Sequence, residues 1–269
     1  MTAPKLAREA RPGEPGFPGG RVYVHPSTGR AVRSVTAALR VLDKPGLKYW
    51  AARECAEYAA TNIDTLSQME RDEVIRLVKK APFGKKDELT PAQIGDLVHN
   101  AVDDYIKTGN DDPDMTDWPT TAVRMWNEFL HGFVAKYKPE WVASEFTVWS
   151  EKYGYAGSCD WAAKIGKWLV YGDHKTGKGV YPEVGLQVAA LANAEFIISD
   201  DGSERPNLTP QRHCVLHIRP TFTRLHILRR PDENFQAFTD CLSLSNWKDS
   251  ADDIIQDAEK IQSKNFSDA

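Results

Sequence analysis

The sequence predicts an α/β protein in which a central mixed β-sheet is flanked by helices, and three observations support this class. Between Trp141 and Arg230, several stretches alternate polar and apolar residues with a period of two, which indicates strands. Earlier in the chain, apolar residues recur every three or four positions, which indicates a helical N-terminal part. The chain has 269 residues, 41% of them hydrophobic, which suffices for one large domain.

The first 33 residues are predicted to form a flexible N-terminal arm. The stretch from Arg11 to Gly20 is rich in proline and glycine and buries little apolar surface. Within the arm, 21–25 has the character of a short strand. The remaining boundaries follow from composition, with a single domain over 34–247 and a polar C-terminal helix or tail over 248–269.

Helices are predicted where capping residues precede a pattern of helical spacing. The strongest start is Thr90-Pro91, an N-cap followed by proline, and that helix should run to about Lys107 and stop at Gly109. The other predicted helices are 34–41, 47–60, 67–80, 119–138, 182–198 and 232–247. Trp50 is interpreted as a core anchor, with stacking on DNA as the alternative.

Strands are predicted over 141–149 and in a hairpin formed by 212–219 and 222–230, with 199–211 as a polar loop. A second hairpin joins 155–160 and its continuation to 169–177. Ile165-Gly166 is the predicted turn, which would place Asp160 opposite Tyr171 and diagonal to Asp173. Such diagonal neighbours lie about 7–8 Å apart between Cα atoms.

This second hairpin collects the residues with the most informative chemistry. Residues two apart on a strand share a face, so Asp173 and Lys175 should lie together while His174 points the other way. Two aspartates supply the hard oxygen ligands that Mg²⁺ and Mn²⁺ prefer, and a lysine beside the ion can orient water or stabilise charge. The alternative is a surface ion pair between Asp173 and Lys175, which contributes little.

Four short motifs in this order resemble the PD-(D/E)XK nuclease superfamily, specifically its RecB-like exonuclease branch. They are Gly95-Asp-Leu-Val-His99, Gly157-Ser-Cys-Asp160, Asp173-His-Lys175-Thr-Gly-Lys178 and a helix containing Gln187. The resemblance covers about residues 90–230. It implies a restriction-endonuclease-like core and a DNA exonuclease, dependent on Mg²⁺ or Mn²⁺, that acts in recombination, repair or phage replication. A structure-selective endonuclease and a non-catalytic DNA-binding or assembly module are the alternatives.

The resemblance also implies a role for each residue of these motifs. Asp160 and Asp173 would bind the ion together with His99 and the backbone carbonyl of His174, and Lys175 would position or activate water. Gln187 would orient Lys175 or the substrate. Three further residues are candidates: Glu145 as a third carboxylate or as the partner of a lysine, and Lys178 and Arg224 as DNA contacts. A recombinase or single-strand-annealing protein is a candidate partner.

Composition limits the other classes of function. The formal net charge of −4 argues against indiscriminate binding of nucleic acid, although a local basic channel remains compatible with it. No apolar run approaches the length of a membrane span or a signal peptide, so we expect a cytoplasmic protein with no membrane partner. The four cysteines are widely separated, which argues against an iron–sulfur cluster. Zinc binding by His213, His217 and His226 is likewise disfavoured.

Overall fold

The computed structural model describes residues 6–83, 89–251 and 254, which form a mixed ten-stranded sheet with helices on both faces. The predicted α/β class is thereby confirmed. The strands are β1 Ala7–Glu9, β2 Arg21–Val24, β3 Ala31–Ser34, β4 Glu140–Ser150, β5 Tyr155–Ile165, β6 Trp168–Lys175, β7 Phe196–Ile198, β8 Glu204–Pro206, β9 Arg212–Arg219 and β10 Phe222–Leu228. The α-helices are α1 Val35–Ala38, α2 Pro45–Thr61, α3 Ile63–Leu66, α4 Arg71–Lys80, α5 Pro91–Thr108, α6 Thr120–Glu128, α7 Ala135–Tyr137, α8 Glu183–Asn193 and α9 Pro231–Asp249.

Two core clusters lie on opposite faces of the sheet. Helices α1, α8 and α9 cover one face around Tyr171 and Val215. Helices α5 and α6 cover the other face, around Trp161 and Leu216, and a π-helical segment over Phe129–Val134 continues α6 into α7. The neighbours Val215 and Leu216 enter different clusters, as the alternation of a strand requires. No helix in the described part of the chain is both long and apolar enough to cross a membrane.

Strand β5 has neighbouring strands on both of its edges, and two strands, β3 and β6, pair with different parts of one edge. Strand β4 pairs with β5 along almost its whole length. On the other edge, β3 runs parallel to β5 at Tyr155 and Ala156, whereas β6 runs antiparallel to it from Trp161 onward. The residues 157–160 lie between these two partners, so the sheet forks at the Gly-x-x-Asp motif.

The start of the predicted long helix is confirmed in detail. The Thr90 side chain accepts a hydrogen bond from the backbone N–H of Gln93, and the Gln93 side chain accepts one from the backbone N–H of Thr90. This capping box satisfies donors that the first helical turn leaves free. Gly109 ends the helix with φ +78°, a left-handed conformation that favours glycine.

Several features differ from the sequence prediction, including the short strand β8 within the predicted loop 199–211. The expected flexible arm instead contributes β1, β2 and β3 to the sheet, and Val22 and Val32 are buried there. The helix predicted over 182–198 ends at Asn193, and 196–198 form strand β7, which lies between β4 and β8. Trp50 is 37% exposed on α2, which has no buried residue, so its interpretation as a core anchor was wrong. Most of the predicted C-terminal tail lies outside the described residues.

The register of the β5–β6 hairpin also differs from the prediction. Gly166 and Lys167 form the turn, so Ala162 rather than Asp160 lies opposite Tyr171. Gly166 has φ +59°, while Lys167 has a negative φ, a pattern that suits a two-residue turn with glycine first. In the predicted turn, the β-branched Ile165 would have occupied that first position. Extending the observed register brings Asp160 level with Asp173 rather than diagonal to it.

Candidate metal centre

The fork in the sheet places the Gly-x-x-Asp motif at the edge of a cavity. Because residues 157–160 have neither β3 nor β6 beside them, their edge of β5 is open to that cavity. The backbone N–H of His174 donates a 2.7 Å hydrogen bond to Oδ2 of Asp160, which ties the end of β6 to the motif through a side chain. Helix α8 approaches Gly157 closely, since a Cβ there would lie 2.6 Å from Cδ2 of Leu191 and 3.1 Å from Cγ2 of Val35.

The alternation of side chains is interrupted where the acidic residues lie. Cys159 packs in the cluster beneath α8, whereas Trp161, two residues further on, packs in the cluster beneath α5. On the paired strand, Glu145 has φ +48°, an unusual conformation for a non-glycine residue inside a strand. Glu145 and Asp160 occupy opposing positions between the pairs Ser144–Trp161 and Phe146–Cys159. The irregularity therefore lies at the position that presents these two carboxylates to the cavity.

Asp173 and Lys175 lie on the same side of β6, as the sequence predicts. The Lys175 Nζ is 2.5 Å from Oδ2 of Asp173, which is 2% exposed. Burial opposes the charge on Lys175, but Asp173 and Asp160 together outweigh it, and the pKa of the ammonium is raised above its ordinary value. Nε2 of Gln187 donates a 2.8 Å hydrogen bond to Oδ1 of Asp173. Gln187 thus contacts Asp173 directly, whereas the prediction had it orient Lys175 or the substrate.

Asp160 faces a histidine that comes from α5. Nε2 of His99 is 3.8 Å from Oδ2 of Asp160 and 2.6 Å from Oε1 of Glu145. Burial, followed by the charge of Asp173, raises the pKa of Asp160 to about 7. Burial opposes the charge on His99, but Glu145 and Asp160 together outweigh it and raise its pKa to about 9. Without an ion, the imidazolium of His99 is therefore the cation between two carboxyl groups.

The imidazole of His174 is the main feature that the sequence analysis missed. Nδ1 of His174 is 3.9 Å from Oδ2 of Asp160, and its ring meets that of His99 edge-on at a centroid distance of 5.3 Å. The ring is stacked on Trp161 at 6.1 Å. Burial, with the charge of His99, lowers its pKa well below the ordinary value, so the ring is neutral. The prediction assigned only the backbone carbonyl of this residue to the ion.

The charged, histidine and glutamine side chains described above all line one cavity of about 210 Å³. Its lining includes residues from the N-terminal strands that the sequence analysis did not assign to the site, among them the exposed Arg21 and the buried Tyr23. The helix that carries His99 approaches the loop after β6 closely, since a Cβ at Gly95 would lie 2.6 Å from Oγ1 of Thr176. The full lining is Arg21, Tyr23, Ser34, Val35, Thr36, His99, Glu145, Gly157, Ser158, Asp160, Asp173, His174, Lys175, Gln187 and Leu191.

The two predicted DNA contacts do not line this cavity. Lys178 is exposed in the loop that follows β6. Arg224 is exposed on β10, where its guanidinium lies 5.2 Å from the ring of Phe222. Of the three histidines considered for zinc, His217 contacts the backbone oxygen of Gly177 through Nε2 at 2.8 Å. Cys159, Cys214 and Cys241 are buried, and Cys55 donates to the backbone oxygen of Val78.

The donor types in the cavity fit a divalent ion. Carboxylate oxygens suit Mg²⁺ and Mn²⁺, and imidazole nitrogens suit transition metals. One donor atom from each of His99, Asp160 and His174 lies within 4.8 Å of the others. Residues on β5, β6 and α5 would hold the ion, and Gln187 on α8 fixes the carboxylate beside it.

Comparison with known proteins adds little to these observations. No family model matches the chain, and no curated protein matches it. Among solved structures, one described as "Crystal structure of SSO0001" aligns with 75% of this chain and 85% of its own, at 10% identity and a TM-score of 0.30. A similarity this low supports no argument about fold or function.

Proposed function

We propose that this protein is a Mg²⁺- or Mn²⁺-dependent deoxyribonuclease that hydrolyses phosphodiester bonds, with exonuclease as the favoured mode. The observation that carries the proposal is that Asp160, Asp173 and Lys175 line one cavity, with Gln187 and His99 in supporting positions. These are the residue types that the resemblance to the RecB-like branch implied. The exonuclease mode, the cytoplasmic location and a place in recombination, repair or phage replication depend on the sequence alone.

The residues of the site divide the chemistry among them. A bound divalent ion would supply a water of lowered pKa and would offset negative charge at the phosphate. Asp160 and Asp173 would hold that ion, and the amide of Gln187 keeps Asp173 in place. Lys175 carries a raised pKa and is charged at neutral pH. It is therefore better suited to stabilise charge that develops on the phosphate than to remove a proton from water.

A degradation assay tests the proposal. The protein is incubated with a linear duplex, a linear single strand and a nick-free circular plasmid, each with Mg²⁺, Mn²⁺ or EDTA. We expect progressive loss of the linear substrates with either ion and none with EDTA. Cleavage of the circular plasmid would establish the endonuclease alternative, and DNA binding with no cleavage under any condition would establish the non-catalytic module.

Two variants with matched controls link the activity to the cavity. Asp173→Asn and Lys175→Met should reduce the rate by at least about two orders of magnitude, the range typical of a lost catalytic group. Asp112→Asn and Lys164→Met change exposed residues of the same types outside the cavity and should leave the rate unchanged. Wild-type rates in either site variant would contradict the proposal.

A further inference from the structure

His174 occupies an environment that packing alone does not explain. Its side chain is 3% exposed, and neither ring nitrogen has a hydrogen-bond partner among the described residues. Burying an imidazole without a partner for either nitrogen costs free energy. Stacking on Trp161 would be served equally well by a phenylalanine, which has no polar atoms to bury.

One of the two unpartnered nitrogens, Nδ1, lies near other potential ligands. His174 Nδ1 and His99 Nε2 lie 3.9 Å and 3.8 Å from the same oxygen, Oδ2 of Asp160. Two donors that each bind one ion at about 2.1 Å are at most about 4.2 Å apart, so both separations fall within the span of a shared ion. Glu145 Oε1, 2.6 Å from His99 Nε2, places a further carboxylate within reach.

We propose that the imidazole of His174 is itself a metal ligand. Together with His99 and the carboxylates of the proposed site, Asp160 and Asp173, it would form a centre with two imidazole nitrogens that selects a transition-metal ion over Mg²⁺. Imidazole is a poor ligand for Mg²⁺, which prefers an all-oxygen, largely hydrated shell, whereas Mn²⁺, Co²⁺ and Zn²⁺ accept nitrogen. This inference rests on the proposed metal-dependent function. Of the two ions proposed there, it favours Mn²⁺ over Mg²⁺.

Hydrophobic contacts already prepare the ring for this role. Gly172 lies two residues before His174 on the same face of β6, and the Trp161 ring occupies the space that a side chain at Gly172 would fill. Trp161 in turn stacks on the His174 ring with an interplanar angle of 28°. The ring is thus supported from one side and turned toward Asp160, which reduces the conformational freedom lost when it binds an ion.

Pulsed electron paramagnetic resonance of bound Mn²⁺ provides the direct test. The full chain is prepared with ¹⁵N-labelled histidine, as wild type and as His174→Phe, which preserves an aromatic ring on Trp161. We expect two coupled imidazole nitrogens in the wild type and one in the variant. One or none in the wild type would overturn the inference, even if His174→Phe fails to fold.

Calorimetric titration with Mn²⁺ and with Mg²⁺ measures the selectivity of the site for one ion over the other. His174→Phe should lower Mn²⁺ affinity by about tenfold or more and leave Mg²⁺ affinity nearly unchanged. His213→Phe, a buried strand histidine outside the cavity, is the matched control and should retain wild-type Mn²⁺ affinity. Equal Mn²⁺ affinity in wild type and His174→Phe would overturn the inference, as would a wild type that does not prefer Mn²⁺ to Mg²⁺.

The degradation assay separates failure of this inference from failure of the proposed function. If the wild type degrades linear DNA but the resonance spectra show fewer than two imidazoles, the nuclease proposal stands and the role of His174 is refuted. If two imidazoles bind Mn²⁺ but no DNA is degraded under any condition, the metal site stands and the nuclease proposal is refuted. A protein that binds no divalent ion refutes both.

Discussion

Gly172→Ala is the substitution that most directly tests the packing behind the candidate site. A Cβ at this position would lie 1.9 Å from Cε2 and Cζ2 of Trp161. Carbon atoms in contact are normally about 3.5–4.0 Å apart, so the indole must move by about 1.5–2 Å. The indole is fully buried against Phe133 and Trp141, at ring distances of 5.8 Å and 5.9 Å, which leaves it little room.

We expect this overpacking to lower the free energy of unfolding by about 1–3 kcal/mol or more. For a chain of this size, that loss corresponds to a decrease in Tm of about 2–12 °C. Urea unfolding and a thermal melt measure both quantities. Gly46→Ala is the matched control, because a Cβ at Gly46 would meet no heavy atom within 4 Å.

Replacing Trp161 tests whether the indole is the source of the strain. In a Trp161→Leu background, the cost of Gly172→Ala should shrink, because the smaller side chain leaves space for the new methyl group. The reasoning would be refuted if Gly172→Ala were as stable as Gly46→Ala. It would also be refuted if the cost of Gly172→Ala were the same in both backgrounds.

Three further predictions concern charge and orientation in the cavity. His99 and Asp160 have pKa values of about 9 and about 7, and both must lose a proton before they bind an ion. The Mn²⁺ affinity measured by calorimetry should therefore rise from pH 6 to pH 9. An affinity that does not change with pH would argue against this site. In the metal-free protein, the pKa of His99 is raised above its ordinary 6.5. Its contribution to stability is therefore fully present below pH 6.5 and is lost as the pH rises through 9. The free energies of unfolding in urea of wild type and His99→Gln should converge over that pH range. Gln187→Leu removes a donor to Asp173 and should lower Mn²⁺ affinity about tenfold, whereas Gln236→Leu, which removes an exposed amide bonded to Asp240, should not.

Features determined by local chemistry were predictable from the sequence. The limits of α5 follow from the proline after Thr90 and from Gly109, because these residues act within one helical turn. The hairpin around Pro220-Thr221 follows from two alternating stretches separated by a short turn. Asp173 and Lys175 share a face because the period of two holds through the end of β6.

Features determined by long-range pairing were not predictable in this way. The N-terminal strands are short and flanked by glycine and proline. Of the three, β3 joins them to the rest of the sheet by pairing with β5, which lies more than 120 residues further along the chain. The turn at Gly166-Lys167 and the predicted turn at Ile165-Gly166 differ by one residue, yet that difference moves Asp160 from opposite Tyr171 to level with Asp173. The presence of Gly166 does not by itself determine whether the second turn residue is the one before it, Ile165, or the one after it, Lys167.

The position of His174 shows what strand alternation alone could not predict about the candidate site. Strict alternation places His174 on the face opposite Asp173 and hence away from any ion that Asp173 binds. The alternation is interrupted at Asp160, however, and its carboxylate lies over the backbone of β6, where it accepts the N–H of His174. The carboxylate of Asp160 therefore lies between the two faces of the sheet. His174 and His99 are on one side of it, and Asp173 is on the other. The distortion at Glu145 and Asp160 would thus give the proposed centre access to ligands from both faces of the sheet, which an undistorted β-ribbon would keep apart.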